Sequence, residues 1–81
     1  MTSSELKDKL NAIFRDVFDD DQILIDPHMT AADISGWDSL AHIRLIVSVE
    51  RNFGVNFTVL EIDSLENVGG FLELIAGKLS S

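Results

Sequence analysis

Cysteine and tyrosine are absent from this 81-residue chain, and proline and tryptophan occur once each. Without cysteine there is no disulfide, no thiolate metal site and no cysteine nucleophile, and nothing points to an oxidising compartment. Basic residues are also scarce, six against fourteen acidic ones, for a formal net charge of -8. Nucleic-acid phosphates and anionic membrane surfaces both demand Lys and Arg, so this balance disfavours either as a partner. It suits transient encounters with basic proteins, because opposite charge speeds association more than it tightens the final complex. No apolar run approaches the roughly 20 residues of a membrane span. The start, Met1-Thr2-Ser3-Ser4-Glu5-Leu6-Lys7, lacks the basic and apolar regions of a signal peptide. A cytoplasmic protein, off the membrane, is expected.

What is present is helical periodicity. Hydrophobic residues make up 46% of the chain, enough for the core of one small domain spanning residues 1–81. Leu6, Leu10, Ile13, Phe14, Val17 and Phe18 recur at three- and four-residue steps and define a first helix, with Lys7, Lys9, Arg15 and Asp16 on its outer face. Thr2 stands three residues before Glu5, as in a capping box, although Ser3 or Ser4 caps equally well. The helix should stop near Asp19-Asp20-Asp21, since carboxylates oppose a helix C-terminus. Residues 19 to 38 read as a long connection, with a short turn at Thr30 to Asp33 and with Ile23, Leu24, Ile25, Met29 and Ile34 folded back over the core. A second helix from about Ser39 to Phe53 is apolar on more than one face, marking it as central, and Gly54 stops it. Thr58 caps a brief third helix to Ile62 or Leu65, and Asn67 caps a last one carrying Val68, Phe71, Leu72, Ile75 and Leu79. The fold class is all-α: a small bundle of three longer helices and a short third one, with a long first loop.

Asp38-Ser39-Leu40 stands where that loop becomes the central helix. An Asp or Ser there is commonly only an N-cap. If Asp38 takes the cap, Ser39 is the first helical residue and its hydroxyl faces solvent, so a phosphate attached to it sits at the positive end of the helix dipole. A hydrolase triad of Ser39, His42 and Asp38 is disfavoured, because sequence proximity does not supply an aimed base, an orienting group and an oxyanion hole. The Gly36-Trp37-Asp38-Ser39-Leu40 stretch also lacks the G-x-S-x-G elbow. The Asp19-Asp20-Asp21 run with Asp26 lacks the alternation, glycine and terminal glutamate of a calcium loop, so no metal site is expected. Trp37 reads as an anchor that packs the loop onto the bundle.

The stretch from Asp33 through Asp38-Ser39-Leu40 to Ile46, continuing as Val49-Glu50-Arg51-Asn52-Phe53-Gly54-Val55, resembles the acyl carrier protein family. The resemblance extends over nearly the whole chain, including Asn67-Val68-Gly69 at the start of the last helix. It implies a four-helix bundle of acyl-carrier type and a non-catalytic carrier, not an enzyme. It further implies that Ser39, flanked by Asp38 and Leu40, carries covalent 4'-phosphopantetheine transferred from coenzyme A. The thiol that the chain lacks then arrives with the cofactor, and cargo rides on it as a thioester. The implied partners are a phosphopantetheinyl transferase, an acyl- or aminoacyl-activating enzyme and downstream synthases or transferases, met by a monomer.

The chain also departs from the family pattern. Arg44 and Arg51 occupy positions, five and twelve residues after the serine, that are usually acidic in carriers of fatty acid synthesis, and Ala41 stands where an acid is common. The loop is one residue longer and carries Trp37. A specialised polyketide, peptide or unusual acyl pathway is therefore expected, with Trp37, Leu40, His42, Arg44 and Arg51 facing partners. Ordinary fatty acid synthesis and an unmodified helical interaction module are the alternatives. The length and the start at Met1 favour a discrete carrier. Ile43, Ile46, Val47, Ile62 and Val68 are expected to pack in the core and not to line a cavity for cargo.

Overall fold

The computed structural model describes residues 3–80, with α1 over Ser3–Val17, α2 over Ser39–Phe53, α3 over Val59–Asp63 and α4 over Val68–Ser80; a single 3-10 turn, Ala31–Asp33, interrupts the first loop. The proposed cap at Thr2 lies outside the described residues. The apolar stripe of α1 forms the centre: Leu10 and Phe14 are fully buried, against Leu45 and Val49 of α2 and Val68, Phe71 and Ile75 of α4. α1 packs against both α2 and α4. α1, α2 and α4 each bury one apolar stripe, while α3 has no fully buried residue. α1, and not α2 as its several apolar faces led one to expect, is the central helix, because Leu40, Ile43 and Val47 on the other face of α2 stay exposed.

The loop between α1 and α2 is stitched down at both ends. Asn11 donates to the Ile23 carbonyl at 3.2 Å and accepts the Ile25 N–H at 2.7 Å, and Arg15 Nε donates to the same Ile23 carbonyl at 2.8 Å. Arg15 thus turns from the outer face to hold the loop. Further along, the Val68 and Gly69 N–H groups donate to the carbonyls of Met29 and Pro27, both at 2.9 Å. A Cβ at Gly69 would meet the Pro27 oxygen at 2.9 Å, so glycine is what allows α4 to start against the loop. Ile25 and Ile34 are buried as expected, and Ile23 and Met29 pack on the core. Leu24 does not: it is 71% exposed, because bonds at residues 23 and 25 turn the residue between them outward.

Two capping boxes form, at Thr30 with Asp33 and at Thr58 with Glu61. Gly54 closes α2 in the left-handed region, φ 67°. The Glu50 carboxylate accepts the Phe57 N–H at 2.9 Å and thereby fixes where the chain turns into α3. Most of the fourteen acidic side chains meet solvent, and among the described residues no salt bridge joins a side-chain nitrogen to the Asp19–Asp21 run. Self-repulsion of that kind costs stability and is screened over about 10 Å at 0.1 M salt. Raising sodium chloride or adding magnesium at neutral pH is therefore expected to raise the melting temperature; a flat series would show that the repulsion is negligible.

Candidate functional site

Asp38 has extended backbone angles and its carboxylate accepts the Ala41 N–H at 2.8 Å, while its carbonyl accepts the His42 N–H at 2.9 Å, the first bond of α2. Capping by Asp38 leaves Ser39 as the first residue of the helix, exposed to solvent. Leu40 follows, 60% exposed despite its apolar side chain.

Trp37 links this point to the core. Its ring meets Phe14 edge-on at 5.4 Å and lies 6.1 Å from Phe18, which anchors the loop end as expected. Its indole Nε1 donates to His42 Nδ1 at 3.1 Å, and the two rings stack at 6.0 Å with 25° between their planes. A triad would need the His42 Nδ1–H to be held by Asp38. Instead Nδ1 accepts from the indole and the Asp38 carboxylate is occupied by Ala41.

An open groove of about 670 Å³ runs from the cap Asp38 and from Ser39 and His42 on α2 towards Val59, Ile62 and Asp63 on α3. Ile43, 58% exposed, lines it, and Val47 is also exposed one turn further along α2. Both were expected to be packed in the core, as Ile46 and Val68 are. α3 is too short, at five residues, to cover the whole face of α2, and Val59 and Leu60 remain 73% and 82% exposed themselves. The far side of α3 is tied to α4 by a 2.9 Å bond from Lys78 to Glu61, with the Lys78 ammonium also 5.3 Å from the Phe57 ring centre. The Thr58 backbone N–H, and then Lys78, hold the Glu61 carboxyl below the usual carboxylate range.

Arg44 and Arg51 are both exposed on α2, and Arg44 borders a smaller groove shared with Asp16, Val17 and Val47. Trp37, Ser39 and His42 thus gather at one end of α2, while Arg51 stands three turns away in its last turn. Among the described residues no group of three His, Asp or Glu side chains is placed to hold a metal ion. Among the same residues no helix is long and apolar enough to cross a membrane.

A family model described as "Phosphopantetheine attachment site" matches residues 8–75, which spans the helical core and the groove. The chain belongs to the acyl carrier protein family. It is 31% identical to the acyl carrier protein of Thermosynechococcus vestitus over 81 residues, covering 100% of both chains. It is 25% identical to that of Cyanidium caldarium over 83 residues, covering 100% of this chain and 94% of the relative. Its fold matches the solution structure of the holo acyl carrier protein from Geobacter metallireducens with a TM-score of 0.88 and 44% identity, over 93% of this chain and 86% of that one. The prosthetic group of this family is 4'-phosphopantetheine. The site suits such a group: an exposed hydroxyl opens a helix, and an open, largely apolar groove starts beside it.

The pairing of Trp37 with His42 and the apolar lining supplied by Val59 were not found from sequence, and Ile62, expected in the core, packs against it half-buried and lines the groove as well. A five-residue spacing between tryptophan and histidine has no signature of its own. The exposure of Ile43 follows only from how short α3 is.

Proposed function

We propose that residues 1–81 form a single carrier domain that bears acyl or aminoacyl groups as thioesters on a phosphopantetheine arm attached to Ser39. The observation that carries the reading is the placement of Ser39: exposed, first in a 15-residue helix, with the cap taken by the neighbouring Asp38. A phosphodiester there lies at the positive end of the helix. Bound there, the arm supplies the thiol absent from the chain. The protein's own part is to present the serine to a transferase, to hold the base of the arm and to offer α2 to partner enzymes, without catalysing a step itself. Incubation with coenzyme A, magnesium and a broad-specificity phosphopantetheinyl transferase is expected to add the mass of one arm. Fragmentation of the tryptic peptide 16–44 should place the adduct at Ser39. An unchanged mass with several transferases would overturn the reading.

Charge is what supports a reading of the pathway. Arg44 and Arg51 are exposed on α2, and a partner built for acidic residues there meets like charge, which opposes a wrong complex. This supports a specialised polyketide, peptide or unusual acyl pathway, operating in the cytoplasm on a monomeric carrier. The partners would be an acyl- or aminoacyl-activating enzyme and downstream synthases or transferases, recognising Trp37, Leu40, His42, Arg44 and Arg51. The double change Arg44→Glu and Arg51→Glu is expected to improve turnover by fatty acid synthesis ketosynthases and to impair it with the cognate enzyme. Exposed ion pairs contribute about 0–1 kcal/mol each, so changes of severalfold to about tenfold are expected, chiefly in apparent association rate. Equal kinetics of wild type and double variant with both enzymes would refute the assignment.

A further inference from the structure

The groove beside Ser39 is poor in groups that can receive an anion. Three carboxylates line it, Asp38, Asp63 and Glu66, and no Lys or Arg does. A phosphodiester retains a negative charge, so its oxygens need donors at this rim. Side-chain donors lining the groove come from three residues only: Trp37, Ser39 and His42. Ser39 loses its hydroxyl proton when esterified. The Trp37 N–H is already given to His42 Nδ1 at 3.1 Å. Among side chains what is left is His42, beside the backbone N–H groups that open α2.

The same bond decides what His42 can offer. Neutral imidazole carries one proton, and a ring whose Nδ1 accepts a hydrogen bond must carry that proton on Nε2. The ring cannot easily turn away, because it is half-buried and stacked on an indole that is itself packed edge-on against Phe14. His42 is three residues after Ser39 on the helix, a spacing that puts the two side chains on neighbouring positions of one face. Trp37 thus converts a histidine of undetermined tautomer into a fixed donor next to the attachment point. Tautomer selection by a partner on the other nitrogen is how histidines in metal sites are set, and the chemistry is the same without a metal.

We infer that His42, with its tautomer fixed by Trp37, is the side chain that donates a hydrogen bond from Nε2 to the phosphodiester at the base of the arm. Trp37 is a positioning residue in this scheme and touches no part of the arm. The inference rests on Ser39 as the attachment residue, and the experiment separates the two.

The protein, labelled with nitrogen-15, is compared in apo and enzymatically loaded form at about pH 8, above the range in which ordinary imidazole titrates. In the apo form, His42 is expected to show an unprotonated Nδ1 and a protonated Nε2. On loading, the Nε2 resonance and its proton should shift, with Trp37 Nε1 little changed. The phosphorus-31 resonance of the loaded protein should move in His42→Phe, which keeps a ring without a donor, and be largely restored in His42→Gln, whose amide can donate from a similar position. In Trp37→Phe, which keeps an aromatic ring and removes the indole donor, Nε2 should no longer hold the proton exclusively, and the Nδ1 and Nε2 resonances should move towards those of a free, tautomer-averaged imidazole. Unequal effects of His42→Phe and His42→Gln on the phosphorus signal separate a bond from mere packing. A protein that gains the arm while its His42 nitrogens and phosphorus shift stay insensitive to loading and to these changes overturns the inference alone. A protein that gains no arm overturns the attachment reading as well, and an apo form protonated on Nδ1 removes the premise without touching Ser39.

Discussion

Ser39→Ala is expected to abolish arm loading completely while leaving the fold intact. Alanine is a better helix former than serine, and the cap belongs to Asp38, whose carboxylate holds the Ala41 N–H. Circular dichroism and melting temperature should therefore match or slightly exceed those of the wild type, with no mass gain after incubation with coenzyme A and transferase. If Ser39 were merely a helix-capping residue, the variant would lose stability and nothing else. Ser35→Ala is the control, since Ser35 is equally exposed but lies in the loop before the helix, and it should load normally. Asp38→Ala should cost about 1 kcal/mol of stability through the lost cap and slow loading without preventing it. Loading of Ser39→Ala at another residue would refute the attachment site.

Phe71→Ala should be the most damaging single change to the fold. Phe71 is 1% exposed, in the core shared by α1, α2 and α4, and its ring meets Phe57 edge-on at 5.9 Å. Removing a buried phenyl group costs about 3–5 kcal/mol, and an aromatic contact of this kind adds to the loss. A domain of 81 residues has a total stability of about 4–12 kcal/mol at 0.05–0.15 kcal/mol per residue. At about 4–8 °C per kcal/mol, the melting temperature should fall by roughly 12–40 °C. Leu60→Ala is the contrast: the residue is equally apolar but 82% exposed, and the change should stay within about 0.5 kcal/mol. Similar losses for Phe71→Ala and Leu60→Ala would mean that α4 does not carry the core.

Much of this arrangement is legible in the sequence because caps and stops are chemical and local. Asp38 and Gly54 bracket α2, read from sequence as Ser39 to Phe53 and formed over those residues. Thr30 and Thr58 cap short turns because a hydroxyl followed three residues later by a carboxylate satisfies two backbone N–H groups at once. What the sequence conceals is tertiary. Ile43 and Val47 look like core residues, and only the five-residue length of α3 leaves them uncovered. Leu24 is as apolar as Ile25, yet the Asn11 and Arg15 bonds to its neighbours select which of them is buried. Gly69 lowers helix propensity, and its close approach to Pro27 gives the reason only once loop and helix are seen together. The bond between Trp37 and His42 likewise depends on a loop end meeting a helix face.

Trp37 is the only tryptophan of the chain, and there is no tyrosine. Excitation at the red edge of protein absorbance therefore addresses one ring, in contact with Phe14 on one side and His42 on the other. Its emission is a built-in reporter that needs no label. Detachment of the loop from α1 would change it through Phe14, and rearrangement at the serine would change it through His42. A fluorescence unfolding curve on this protein thus follows the first loop and the end of α2, while far-ultraviolet circular dichroism follows all four helices. Any gap between the two midpoints measures how far the Trp37 end of α2 can loosen while the remainder stays folded.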